Sequence, residues 1–255
     1  MKPNTHNTLS SSVSYPVHDI VSLKFSDGRS NIKGIKAVNN VLNTIGINVT
    51  TIDIPEEVKP ILEASETQTL TQKEQEFLIH KFNLTHAQLL EQIKIANRIP
   101  AVEGGGVLTE ETGFGQYPKI YDMKALDEKT HKAVLDKYAR MHVNSADDGT
   151  DVDEVMTVIN GGPFRWSFLM KDGSVALFQV ESVSLNDKAV RVSYHGLGMH
   201  AGIMDAKQGV IVAFAHGPKE FTMRYEADVK HAELLGTNPW LDFSGDFPVV
   251  LDSAQ

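Results

Sequence analysis

The sequence predicts an α+β fold: an antiparallel β-barrel or sandwich in the C-terminal half, preceded by a mainly helical region. Two observations predict it. Between Glu154 and Tyr225, short β-branched and aromatic runs recur at close, even spacing with turn residues between them. Between residues 55 and 98, two capping signatures each precede apolar residues at helical spacing. The expected division is a flexible polar tail over 1–17, a mainly helical region over 18–125 that packs on the barrel or a partner, and the β-barrel over 126–255.

Composition bounds the function. The chain has 255 residues, 41% hydrophobic and 22% charged, which suits a globular protein with a large core. It has no cysteine, which excludes thiolate ligands, thiol nucleophiles and disulfides. A net charge of −9 disfavours a nucleic-acid binder, which needs a basic footprint. No apolar run approaches the roughly 20 residues that span a bilayer. Met1 to Tyr15 is rich in Ser, Thr and Asn without an apolar h-region, so a cytoplasmic protein is expected. The sequons at Asn48 and Asn83 are then chance matches.

Each element has a local reason. Asp19 to Phe25 alternates as a strand and ends at the Ser26-Asp27-Gly28 turn. Ile35, Val38, Val41 and Leu42 have helical spacing, with Gly46 as a stop. Ile47 to Ile54 is a β-branched strand closed by Pro55. Pro55 with Glu56 and Glu57 suits a helix start. Thr71 with Glu74, and Thr85 with Gln88, have capping-box spacing ahead of apolar positions. Residues 102–118 are irregular, and Glu103-Gly104-Gly105-Gly106 lacks the lysine and Ser/Thr of a phosphate loop, so a flexible loop, or a lid over the pocket, is expected there. Asp127 to Met141 is helical. Strands are expected over Glu154–Ile159, Phe164–Met170, Val175–Val180, Ala189–Tyr194, Gly209–Ala215 and Glu220–Tyr225.

The β-rich half, roughly residues 138–228, resembles the cupin superfamily. The first cupin motif ends in a glutamate and, after six intervening residues, a glycine; Glu154 and Gly161 stand in that relation. Upstream, where the family carries two histidines, this chain has His142 and Asn144, set further away by Ser145 to Asp151. The second motif places a histidine after a Gly-containing turn, as in His195-Gly196-Leu197-Gly198-Met199-His200, without the family's proline and later asparagine. The resemblance implies a cupin-like double-stranded β-barrel (jelly roll) with a metal pocket.

Imidazole and carboxylate are good ligands for divalent iron, manganese, zinc or nickel, and two histidines with one carboxylate form the facial arrangement of non-haem iron(II) sites. The expected ligands are His142, Glu154 and His200, holding one divalent ion with Fe(II) favoured. Asn144, Asp148 or His216 stands as a replacement for one of them. His195 and Arg191 are the expected catalytic residues, His195 as a further ligand or a base beside the metal and Arg191 as a clamp for a carboxylate. Arg165, Trp166 and Arg224 lie on candidate strands too, and arginine on the barrel exterior pairs with Asp or Glu.

Each residue has a blander reading. Glu154 suits a solvated strand, and His142 the C-terminus of a helix. His216-Gly217-Pro218 reads most simply as a turn, and His80, His86 and His131 as helix histidines. The resemblance implies oxygenation of a small phenolic or organic-acid substrate. The alternatives are a non-catalytic small-molecule binding or regulatory cupin, and a structural subunit of a larger enzyme. A homo-oligomer is expected, with a hetero-subunit arrangement as the alternative.

Overall fold

The computed structural model describes residues 20–101, 107–108, 118–218 and 220–255. The tail over 1–17 and the glycine-rich Glu103–Gly106 segment lie outside the described residues. The chain begins with β1 (Val21–Phe25), β2 (Ile32–Lys33), α1 (Ile35–Leu42) and β3 (Asn48–Asp53). A helical stretch follows as α2 (Lys59–Ala64), α3 (Gln72–Lys81) and α4 (His86–Ile95). Then come β4 (Val107–Leu108), β5 (Lys119–Asp122) and α5 (Glu128–Tyr138).

The β-rich half comprises β6 (Val143–Ser145), β7 (Asp153–Gly161), β8 (Phe164–Leu169), β9 (Val175–Val180), β10 (Lys188–His195), β11 (His200–Ile203), β12 (Gly209–Gly217) and β13 (Thr222–Arg224). The chain ends in the hairpin of β14 (Leu241–Asp242) and β15 (Val249–Val250). Both capping boxes form, with Thr71 and Thr85 accepting from the backbone N–H of Glu74 and Gln88. The six expected strands of the β-rich half match β7, β8, β9, β10, β12 and β13 within a few residues.

Two antiparallel sheets carry the fold. The first has the order β11-β8-β9-β1-β2. The second has the order β3-β10-β7-β12, with β4 and β5 both pairing to β12. Their facing sides share one core, where Phe168 of the first sheet meets Tyr194 of the second at a ring separation of 5.6 Å. Among the described residues neither sheet closes on itself, and the architecture is a mixed α+β arrangement of two facing antiparallel sheets. The boundary expected at residue 125 is crossed by strand pairing: β1 pairs β9, β3 pairs β10 and β5 pairs β12.

The helical stretch lies on the outer face of the second sheet, which explains β7. All nine residues of β7 are buried, as befits a strand covered on both sides. Asn160 on β7 donates to the Leu62 carbonyl at 2.9 Å, Arg191 on β10 donates to the Phe82 carbonyl at 2.9 Å, and Arg98 donates to Asp153 at 2.9 Å. The outer face of the first sheet is covered by α5 and the C-terminal segment, with Leu135, Trp240 and Leu241 in a second apolar cluster. Among the described residues, no helix is long and apolar enough to cross a membrane.

The Arg98–Asp153 pair is deeply buried, its side chains 6% and 1% exposed. Removing one partner of such a pair leaves the other charged and unsolvated. Arg98→Ala is therefore expected to cost about 3–5 kcal/mol, read as a lower urea midpoint, and to release the helical layer first. An unchanged midpoint would show that this pair does not hold the layer.

Candidate metal centre

The site grows from one backbone pairing. His142 and His200 form an antiparallel bridge and exchange both hydrogen bonds, His142 N–H to His200 O at 2.8 Å and the reverse at 3.0 Å. Paired residues in an antiparallel bridge project their side chains to the same face. The two imidazoles accordingly sit 4.5 Å apart, centroid to centroid. Two residues on, the Asn144 N–H donates to the Gly196 carbonyl at 2.8 Å, and the Gly196 N–H donates to Val152 at 2.6 Å. A Cβ on Gly196 would collide with the Asn144 carbonyl, so glycine is what lets these three segments close up.

The stretch between Asn144 and Glu154 folds as a hairpin. Ser145 bridges Asp151, Ala146 N–H donates to Thr150 O at 2.9 Å, and Gly149 takes the left-handed conformation with φ 85°. The chain thus turns back and delivers Glu154 opposite Asn144. The Asn144 amide donates to Glu154 Oε1 at 2.6 Å, and the Tyr194 hydroxyl donates to Oε2 at 3.3 Å.

His142, Asn144, Glu154 and His200 line a cavity of about 200 Å³ together with Tyr121, Trp166, Met156, Tyr194 and Lys137. Tyr121, Trp166 and Met156 are largely buried, so the cavity is mostly apolar around a polar core.

The donor atoms are prepared in a specific way. His142 Nδ1 lies 2.6 Å from the Arg140 carbonyl and His200 Nδ1 lies 2.7 Å from the Gly198 carbonyl. A carbonyl only accepts, so each Nδ1 carries the proton and each Nε2 keeps its lone pair. Burial holds the His142 imidazole neutral by lowering its pKa to about 4, and it pushes His200 well below the usual histidine range, helped by the neighbouring His142. Burial raises Glu154 to about 7, against the opposing hydrogen bonds from Asn144 and Tyr194.

Two neutral imidazoles and a carboxylate are a fitting donor set for a divalent ion, and backbone carbonyls on the remote ring nitrogens are the usual support for metal-binding histidine. Among the described residues, however, no three His, Asp or Glu side chains are gathered at metal-holding spacing. The Asn144 amide lies between the two groups: its nitrogen stands 3.4 Å from His200 Nε2 while donating to Glu154, whose Oε1 lies 3.6 Å from His200 Nε2.

The other expected residues lie elsewhere. Residues along β10 alternate between faces, so with Tyr194 inside, Arg191 and His195 project outward. Arg191 donates to Thr157 Oγ1 at 3.0 Å and to the Phe82 carbonyl under the helical layer, and His195 Nδ1 lies 3.2 Å from Asp151 in a separate surface cleft. His216 is on the outer face of the second sheet beside Asp153, at 3.4 Å. Asp148 sits in the hairpin turn, accepting from Thr150 N–H at 2.9 Å. Arg165 pairs with Asp205, and Arg224 with Asp147 at 2.8 Å.

Tyr194 and Lys137 also line the cavity, and neither stands among the site residues expected from sequence. Strand alternation from Val192 would have placed Tyr194 inside. Lys137 is reached only through the packing of α5 beside β11, a contact with no local signal.

In the protein without metal, the native state holds a proton on Glu154 up to about pH 7, whereas the unfolded carboxyl releases it near 4.5. The native state then binds more protons between these values, so this group's contribution to stability falls as pH rises across that window. The change is on the order of 3 kcal/mol. Glu154→Gln removes it, so pH-dependent chemical denaturation of the metal-free variant should lose this decline. An identical pH profile in both proteins would place the Glu154 carboxyl in solvent.

No family profile matches the chain, and no curated protein matches it. Among solved structures, the chain is similar to acireductone dioxygenase from Bacillus anthracis, a cupin-fold enzyme determined with a cadmium ion in its active centre. The two share 13% sequence identity with a TM-score of 0.51, over 77% of this chain and 92% of the other. At that identity the likeness is one of fold, and it supports a cupin-like fold for this chain.

Proposed function

We propose that this protein is a cupin-type, metal-dependent dioxygenase acting on a small organic molecule. The observation that carries the reading is the pair of neutral imidazoles, their Nδ1 atoms tied to carbonyls and their Nε2 atoms unprotonated in one cavity with a buried Glu154 carboxyl. His142, Glu154 and His200 would hold one divalent ion, with Fe(II) favoured and Mn, Zn or Ni also compatible with the donors. A redox-active ion there supplies the activation of dioxygen. The active-site cadmium of the fold neighbour is consistent with this reading.

The protein's own residues do the rest. Trp166, Tyr121 and Met156 exclude water and offer flat, apolar walls to an aromatic or short-chain substrate. Tyr194 keeps the Glu154 carboxylate oriented through its hydroxyl. Lys137 gives the lining a cation suited to a phenolate or an organic acid. Asn144 is the adaptable member. An amide turned end for end presents its oxygen in place of its nitrogen, which converts a donor to Glu154 into a further oxygen near the ion.

A second reading is a non-catalytic binding pocket. The observation favouring it is the Asn144 amide, which already satisfies Glu154 without any ion. Metal analysis of the purified, iron-loaded protein separates the two. The enzyme reading predicts stoichiometric iron and substrate-dependent oxygen uptake. Both should fall at least tenfold in His142→Ala, Glu154→Ala and His200→Ala, and both should persist in His195→Ala, whose side chain faces away. A folded protein that takes up neither iron nor oxygen would overturn the enzyme reading and leave the binding pocket.

A further inference from the structure

Asp153 and Glu154 are consecutive on β7 and so point to opposite faces of the second sheet. Glu154 serves the cavity. Asp153 serves a separate cluster on the outer face, beneath the start of α4. There His216, 1% exposed, places Nδ1 3.4 Å from Asp153 Oδ2. Asp153 also receives the Arg98 guanidinium and the Ala101 N–H, each at 2.9 Å. With those two donors present, Asp153 is an ionised acceptor that favours the proton on His216 Nδ1.

The consequence falls on the other ring nitrogen. His216 Nε2 is buried, keeps its lone pair, and has no hydrogen-bond partner among the described residues. Buried polar atoms of this kind are nearly always satisfied. The ring that faces it is His86, the first residue of α4, with centroids 5.4 Å apart and planes inclined by 36°. His86 is exposed, so its ring can turn toward its neighbour at little cost. A carboxylate fixing one ring nitrogen while the other is left bare is the support found behind metal-ligating histidine.

We propose that His216 and His86, with Asp153 orienting His216, form a second divalent-metal site on the outer face of the sheet, distinct from the cavity. Two imidazoles without thiolate suit zinc, copper(II) or nickel, with water completing the shell. The site would clamp the start of α4 to β12, so occupancy links a metal to the attachment of the helical layer.

Zinc titrated into the full-length, metal-free protein at pH 7.5 tests this by calorimetry. A saturable binding event is expected that His86→Ala or His216→Gln abolishes and His142→Ala leaves in place. The His142→Ala arm separates this site from the cavity, so failure of the proposed dioxygenase would not remove the event. His86 is exposed, so its variant should fold even if the buried His216 variant does not. Binding that His86→Ala leaves unchanged would overturn the site, as would the absence of any event in His142→Ala.

Discussion

His142 and His200 each give and take a backbone hydrogen bond with the other. That exchange fixes the relative position of two segments 58 residues apart, and no side-chain contact could do so as tightly. With the backbones locked in register, the imidazoles must share a face. Each ring is then held by a carbonyl two residues before it in sequence, at Arg140 and Gly198. The geometry of the candidate centre therefore depends on β-pairing more than on the side chains themselves. Gly196 belongs to the same constraint, because it lets Asn144, Val152 and the β10–β11 turn approach within main-chain hydrogen-bonding distance.

The second sheet has to serve two environments. Its inner face shapes the cavity and its outer face carries the helical layer. β7 separates them with alternating residues: Glu154 and Met156 face the cavity, while Asp153 and Thr157 receive Arg98 and Arg191 from outside it or from the neighbouring strand. Burial makes both carboxylates consequential. Asp153 is surrounded by donors, whereas Glu154 has an amide and a phenol and is driven toward its neutral form. A bound cation would reverse that preference, which is why affinity for metal and the protonation of Glu154 are coupled.

Much of this was legible in the sequence, and the parts that were not have a common cause. Strand positions from Phe164 to Ala215 and both capping boxes depend on local patterns, and they appear where those patterns put them. His142, Glu154 and His200 do converge on one cavity, through a hairpin over residues 145–152 that the sequence presented only as a long separation. Arg191 and His195 lie outside the cavity because alternation along β10 sends them to the face opposite Tyr194. The participation of β1 and β3 in the sheets was hidden as well, since long-range pairing leaves no periodic trace in a single strand. The surroundings of His216 depend on the docking of α4, a tertiary contact that its own neighbours Gly217 and Pro218 do not encode.

The central claim is that the bridge between His142 and His200 prepares a metal centre with Glu154. Anomalous diffraction at the iron edge, from crystals of protein loaded anaerobically with Fe(II), tests it most directly. The account predicts one anomalous peak in the cavity within ligating distance of His142 Nε2, His200 Nε2 and the Glu154 carboxylate, with the Asn144 amide turned away from its present hydrogen bond. An empty cavity in iron-loaded crystals, or an ion held there without either histidine, would contradict it.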